Sequence, residues 1–457
     1  MDKHLDAIIL GAGLTGLTTA FYLNKAGKKI LVIDTASQVG GVIQTQYKNG
    51  FLFEKGPNTG ILGSVEIAEL IEDLHPECEI EFGNENVSKR FILKDAKWQQ
   101  LPAGLKQGAT TPLFTIKDKF RILGEPFRKR GTNPSETLAE LVKRRMGQSF
   151  LDYAIDPFIL GVYAGDPAYL VPKYALPKLY DLEQEYGSFI GGAVKKKFKK
   201  KAEKEQKATR KIFTIKGGLG HLMKTMFNKV GEEKFMLGVK NLQLINQESN
   251  YTLQFENSNG DSLEYTSDKV ISTIPAFEIS SVLPFISHKL IADLKNVYYA
   301  PVIEVAIGFN EWKGIELDGF GGLIPHKENR NILGVMYMSS LFEGRAPKGG
   351  ALISVFIGGA RKPELTELSN DEVKSLVKRE FKELMGISDF NPDLFEISRH
   401  KKAIPQYGKE SKERFEAVNI TRTKYPGLYI GGNLLQGIGM ADRVKQARLL
   451  ADEICNL

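Results

Sequence analysis

The hydrophobic pattern opens with a four-residue apolar run, Ala7-Ile8-Ile9-Leu10, of the length and composition of a strand buried on both faces. The glycine-rich segment Gly11-Ala12-Gly13-Leu14-Thr15-Gly16 follows without a break. Over 17–26, helix formers put Leu17, Ala20, Phe21 and Leu23 on one side, which predicts a helix ended by Gly27. Lys29-Ile30-Leu31-Val32-Ile33 predicts a second strand, closed by Asp34. Later apolar and β-branched runs predict strands at 235–239, 251–255, 269–273, 301–309, 351–357 and 428–430. The last runs into Gly431-Gly432, and a helix is predicted over 440–450. The stretch 101–209 is richer in helix formers, Gly217-Gly218-Leu219-Gly220 predicts a helix opening at His221, and no internal repeat is present.

Strand, glycine turn, helix, strand, acid is the order of a dinucleotide-binding unit, and each part has a physical reason. Gly11 permits the tight turn, Gly13 lets backbone approach a pyrophosphate, and Gly16 lets the helix pack against the strand. Ala12, Leu14 and Thr15 lie on the same turn, where the helix start offers free N–H groups and a positive dipole end to phosphate. Asp34, 21 residues beyond Gly13, suits ribose hydroxyls and would repel a 2′-phosphate, which disfavours NADP. A second glycine pair, Gly40-Gly41, with Val42 next to it, allows close approach to an extended cofactor, and Gly56-Pro57-Asn58-Thr59 offers a turn for its far end. Flavin, as FAD, is favoured over NAD. A second strand-plus-GxGxxG unit is not found, so NAD(P)H has no evident docking site and dioxygen or a quinone is the simplest electron acceptor.

The expected fold class is α/β. A discontinuous Rossmann-like FAD-binding domain (1–80, 212–285 and 405–457) is expected beside a mixed α+β substrate domain (81–100 and 286–404). A helical, membrane-associating subdomain would span 101–211.

Composition narrows the classes further. The 457 residues, 42% hydrophobic and 26% charged, exceed what one core usually serves and exclude wholesale disorder. Cys78 and Cys455 cannot make a disulfide framework, which points to a reducing compartment. The chain shows no secretory signal pattern and no membrane-spanning run, so it is expected in the cytoplasm or peripherally on the inner face of the membrane. The net charge of +7 is local: between Lys195 and Lys211 stand ten Lys/Arg and two acids, an excess larger than that of the whole chain. Too few aromatics interleave for nucleic acid, so this run reads as a solvated face or a contact for anionic lipid headgroups. The six histidines show no metal-ligand spacing, and no metal is expected.

Several segments together resemble the oxygen-dependent protoporphyrinogen oxidase family, which includes bacterial coproporphyrinogen III oxidases. They are Gly161-Val162-Tyr163-Ala164-Gly165-Asp166-Pro167, the run from Ala175 to Ser188, Gly319-Phe320-Gly321-Gly322-Leu323-Ile324-Pro325, Ala403-Ile404-Pro405-Gln406-Tyr407 and Gly437-Ile438-Gly439-Met440-Ala441-Asp442. The likeness covers nearly the whole chain. It implies an FAD-dependent oxidase that takes protoporphyrinogen IX, or coproporphyrinogen III, to the porphyrin with dioxygen as acceptor and hydrogen peroxide as product. Two propionates or four remain open at this point. A hand-over of product to a ferrochelatase and a homodimer are compatible with the resemblance.

By residue, the resemblance implies flavin contacts at Gly11 to Gly16, Asp34, Gly41, Val42, Gly56 to Thr59, Val239, Ile438, Gly439 and Met440. Lys106 stands where the family has a propionate-binding arginine; lysine keeps the charge and loses the bidentate fork. Phe320, Leu323, Leu333 and Phe356 would wall the tetrapyrrole, and Gly161 to Gly165 would bring carbonyls to its pyrrole N–H groups. No catalytic side chain is implied, because the flavin carries the chemistry. The chain departs from the family at Ala441-Asp442-Arg443-Val444-Lys445-Gln446-Ala447, near the flavin O2 edge. An amine oxidase, a carotenoid-type desaturase and a non-catalytic flavin protein are the competing readings.

Overall fold

The computed structural model describes residues 4–198, 203–435 and 437–455. It is mixed α/β, as expected. Five short strands form one fully parallel sheet in the order Phe235–Leu237, Ile30–Asp34, Ala7–Leu10, Val270–Ser272, Leu428–Ile430. Their near-continuous apolar runs follow from burial on both faces. One face packs on the helices Leu14–Lys25, Leu219–Val230 and Met440–Cys455, the other on a layer that includes Leu244, Leu253 and Leu283. The first helix starts at Leu14, three residues before the predicted position, and the helix after Gly217-Gly218 starts at Leu219 rather than His221.

The second large element is a seven-stranded sheet, ordered Leu394–Pro405, Tyr299–Phe309, Ala351–Gly358, Gly334–Tyr337, Gly319–Leu323, Lys89–Lys94, Lys97–Gln100. One face carries Ile303, Val305, Ile307, Val335, Val355 and Ile357 against the helix Asn370–Met385. Alternation then sends Val302, Glu304, Ala306, Leu352, Ser354 and Phe356 to the opposite face. That face meets the first unit, with Ala306 and Leu352 packed on Phe51 and Phe53.

Residues 105–198 are built from short helices, including Ile116–Leu123, Leu138–Arg145, Asp156–Tyr163, Pro177–Tyr186 and Phe189–Phe198. Of the basic run, Lys195 and Lys196 are exposed at the end of the last helix, whereas 199–202 lie outside the described residues. No helix among the described residues is long and apolar enough to cross a membrane.

Candidate functional site

The glycine turn after Ala7–Leu10 is shaped by what surrounds each position. At Gly11 (φ +102°) a Cβ would stand 2.7 Å from Thr273 Oγ1, and at Gly16 it would stand 1.9 Å from the Gly11 carbonyl oxygen. Both glycines are therefore demanded by the protein itself. Gly13 differs: nothing lies within 4 Å of its Cβ position. It is the N-cap of the Leu14–Lys25 helix and offers no side-chain cap, so the Leu14, Thr15 and Gly16 amides start the helix without one. The Gly40 amide donates to the Ala12 carbonyl at 2.8 Å, and a Cβ on Gly41 (φ +59°) would lie 3.6 Å from Gly13 Cα. The two glycine turns thus face each other. Asp34 accepts the Ala12 amide at 2.7 Å and the Ala36 amide at 2.8 Å, one on each oxygen, which leaves lone pairs for ribose hydroxyls. The Val239 amide donates to the Asp34 carbonyl at 3.3 Å, bringing the sequence-distant adenine candidate beside the acid. An open Cβ position, uncapped helix amides and a carboxylate with spare acceptors fit a dinucleotide such as FAD.

The Gly56–Thr59 segment leaves the buried Phe51–Glu54 strand and crosses the polar-bearing face of the large sheet. A Cβ on Gly56 would lie 2.1 Å from the Val42 carbonyl oxygen, so these two flavin candidates are in contact. The Val42 side chain is 54% exposed, unusual for an aliphatic residue in this position and suited to covering a ligand. Pro57 and Thr59 are half-buried, and Asn58 is buried. The Asn58 amide donates to Glu304 Oε1 at 2.7 Å and to the Gly56 carbonyl at 3.2 Å, and its oxygen accepts the Ser354 hydroxyl at 2.9 Å. Burial pushes the Glu304 carboxyl up to about 8, against the pull of the Asn58 hydrogen bond. Nothing in the sequence singled out Glu304, one acid inside an apolar strand.

At the other glycine segment, Ile438 packs toward the Tyr407 cluster, the Gly439 amide donates to Asp442 at 3.3 Å, and Met440 is buried. The departing residues turn inward: the buried Arg443 guanidinium donates to the Gly432 carbonyl and Gln446 accepts the Gly432 amide at 2.8 Å. They brace the Gly431-Gly432 turn.

Three of the four expected wall residues come together. Leu333 and Phe356 share an apolar cluster with Leu160, Ala164 and Val302, and the Leu333 amide donates to the Phe356 carbonyl at 2.7 Å. A Cβ on Gly161 would stand 2.3 Å from Leu323, so the Asp156–Tyr163 helix lies directly on this wall. Gly165 is required by Gln406, whose Oε1 would be 2.4 Å from its Cβ. In the same loop the Tyr163 carbonyl accepts from Gln406 and the Ala164 carbonyl from the Ala360 amide, so both already hold one partner. Phe320 sits apart, beside Val87, Ile212 and Met336, with the Arg90 guanidinium 5.5 Å over its ring. Lys106 is exposed on the Leu105–Thr110 helix. Arg90 was missed by sequence reasoning; its signal, a cation in the exposed first half of a strand, is a common surface pattern.

Comparison with known proteins shows the family and the fold. The family model described as flavin containing amine oxidoreductase matches residues 14–455. Protoporphyrinogen oxidase 2, chloroplastic/mitochondrial, of Arabidopsis thaliana is 29% identical over 99% of this chain and 95% of its own length. Coproporphyrinogen III oxidase of Bacillus subtilis is 28% identical over 98% of this chain and 97% of its own. Among solved structures, a protein from Exiguobacterium sp. 255-15 superposes with a TM-score of 0.82 at 21% identity, covering 99% of each chain. Cyclohexylamine oxidase from Brevibacterium oxydans IH-35A does so at 0.71 and 15%, again over 99% of each.

Proposed function

The chain belongs to the flavin containing amine oxidoreductase family, and on that premise we propose that it oxidises protoporphyrinogen IX to protoporphyrin IX. Coproporphyrinogen III, the substrate in the name of the Bacillus relative, is the second reading. The observation that carries the proposal is the contact of the Gly161 helix with Leu323, next to Leu333 and Phe356, on the sheet face that Gly56–Thr59 crosses. It sets an apolar wall beside the segment read as the flavin end. Bound there, FAD would supply a two-electron oxidant in each of three rounds, and three dioxygen molecules would take the six electrons and six protons away as three molecules of hydrogen peroxide. The protein's part is binding, orientation and water exclusion. The uncapped amides of the Leu14–Lys25 helix and Asp34 would hold the phosphates and ribose, and the apolar wall would hold the tetrapyrrole. Purified protein scanned for flavin absorbance, then assayed by porphyrin fluorescence in air with each porphyrinogen, tests the reading. No fluorescence with either substrate, from protein that carries flavin, would sink it.

For the propionates, Arg90 and Lys106 are both proposed, with Arg90 as the stronger anchor. It lies 5.5 Å over the ring of Phe320 and presents the bidentate fork that Lys106 lacks. Arg90→Ala is expected to raise KM about tenfold and Lys106→Ala two- to threefold, with kcat changing less in both. Equal KM values for Arg90→Ala and wild type would place the anchor elsewhere.

A peripheral membrane contact is also proposed, from a different surface than the basic run alone. On the helix Ile116–Leu123 and just after it, Ile116, Phe120, Leu123 and Phe127 are 74%, 71%, 65% and 91% exposed. Exposed Lys117, Arg121, Lys129 and Arg130 flank them. An apolar stripe rimmed by cations is the composition of an interfacial helix. Replacing Phe120 and Phe127 together with Ser should cut sedimentation with anionic vesicles at least tenfold, since each buried ring contributes about 1.5–3 kcal/mol. Unchanged sedimentation would assign any vesicle binding to charge only.

A further inference from the structure

We propose that Glu304 is a positioning residue of the oxidation site: its carboxyl and the Ser354 hydroxyl each bond one end of the Asn58 amide, and a proton on Glu304 directed at Ser354 closes the three groups into a ring that fixes which way Asn58 faces. This rests on the reading above, because Asn58 lies in the segment assigned to the flavin end. The ring is read from three groups, all buried. Asn58 Nδ2 donates to Glu304 Oε1 at 2.7 Å, and Ser354 Oγ donates to Asn58 Oδ1 at 2.9 Å. The third side lies between Ser354 and the Glu304 carboxyl, neighbours on adjacent paired strands that both reach Asn58. The Ser354 hydroxyl has one proton, already given to Asn58, so that side can be a hydrogen bond only if Glu304 is the donor. A protonated Glu304 therefore satisfies every group in the ring. Were Glu304 ionised, it would compete with Asn58 Oδ1 for the single Ser354 proton, and one buried acceptor would go without.

The place of the ring makes the orientation matter. In register, Glu304 lies opposite Phe356 on one neighbouring strand and Ser398 on the other. It thus joins the apolar wall to the strip that crosses it. Charges around it favour the neutral acid. From the Phe51–Glu54 strand, the buried Glu54 carboxylate faces it and is itself paired with Arg345. From the Leu394–Pro405 strand, His400 is held by the Lys55 carbonyl at 2.6 Å, with burial lowering its tendency to charge. Glu396, further along that strand, is taken by Lys48. No cation in this set faces Glu304 directly.

The test uses the flavin-loaded protein and compares wild type, Glu304→Gln and Glu304→Leu. Glutamine can reproduce the protonated ring, accepting from Asn58 and donating to Ser354; leucine cannot. Three results are expected. Wild-type kcat falls about tenfold between pH 7 and pH 9, as a group titrating near 8 loses its proton, and this decline is absent in Glu304→Gln. Glu304→Leu lowers kcat about tenfold at every pH with flavin content unchanged, and Glu304→Gln recovers most of that loss. Independently of substrate, the infrared spectrum at pH 7 contains a protonated-carboxyl band that Glu304→Gln removes. The stability arm has a definite sign. A carboxyl raised in the folded state is ionised only in the unfolded chain between about 4.3 and 8, so its penalty is absent below that window and complete above it. The Tm advantage of Glu304→Gln over wild type should therefore grow from pH 5 to pH 8. No carboxyl band together with a constant Tm gap would overturn the ring. An alkaline decline that persists in Glu304→Gln, or a Glu304→Leu enzyme as active as wild type, would overturn the positioning role while leaving porphyrinogen oxidation standing. Failure of wild type to oxidise any porphyrinogen, with the infrared and Tm results as expected, would instead overturn the proposed function and with it the positioning role, and leave the ring as a structural feature.

Discussion

Gly13→Val is expected to give a folded protein without flavin. The backbone at Gly13 has φ −77°, which valine adopts without strain, and its Cβ position is open to 4 Å in every direction. The added side chain therefore starts in open space, the space assigned to the pyrophosphate. Losing two charge-assisted bonds from helix-start amides, at about 1.5–3 kcal/mol each, weakens binding by at least a hundredfold. Absorbance of the released flavin should show less than a few per cent occupancy, while Tm matches that of wild type stripped of flavin. Gly16→Val is the informative contrast: its Cβ would stand 1.9 Å from the Gly11 carbonyl, so it should lose stability whether or not flavin is present. Full occupancy in Gly13→Val would remove the phosphate from this turn.

That contrast also marks how far local sequence reaches. The first strand, turn, helix and acid were legible because their chemistry is contiguous, and each glycine has a short-range reason. What joined them to Val239, Thr273 and Met440 was not, since parallel neighbours two hundred residues apart leave no period in the sequence. The large sheet was half legible. Tyr299–Phe309 and Ala351–Gly358 are apolar and were expected as strands. Lys89–Lys94 and Leu394–Pro405 carry charges on their exposed faces and give no clean alternation. Ile116–Leu123 inverts the usual rule, because its apolar side points to solvent. The candidate site divides the same way. Candidate flavin contacts tied to glycine turns were visible, but Glu304, Ser354 and Arg90 acquire meaning only from neighbours on other strands.

Arg145→Met should produce a large loss of stability, although the residue has no place among the candidate site residues. Arg145, Glu125 and Glu183 are all but fully buried. The guanidinium donates to Glu125, to Glu183 at 2.7 Å and to the Gly187 carbonyl at 2.7 Å. Glu125 in turn accepts the Ser188 hydroxyl at 2.6 Å and the Phe189 and Ile190 amides, which ties the segment 125–127 to the helices Leu138–Arg145, Pro177–Tyr186 and Phe189–Phe198. Burial pushes the Glu125 carboxyl up, but the Ser188, Phe189, Ile190 and Arg145 donors together hold it below the usual carboxylate range. Glu183 is lowered likewise, with Arg144 the leading donor. Methionine fills similar volume and leaves two buried carboxylates with less compensation, a change that costs about 3–5 kcal/mol. Urea unfolding followed by circular dichroism should show the midpoint fall accordingly. The pH dependence has a fixed sign: carboxyls depressed by folding contribute stability above about 4.3 that is lost as pH drops through their folded values. Without Arg145 those folded values rise, so acid unfolding should begin at higher pH in the variant. Adding Glu125→Gln to Arg145→Met should recover part of the loss, because the amide needs no counter-charge. A single variant as stable as wild type at pH 7 would mean that the remaining donors already satisfy both acids, Arg144 at Glu183 and Ser188 with the Phe189 and Ile190 amides at Glu125.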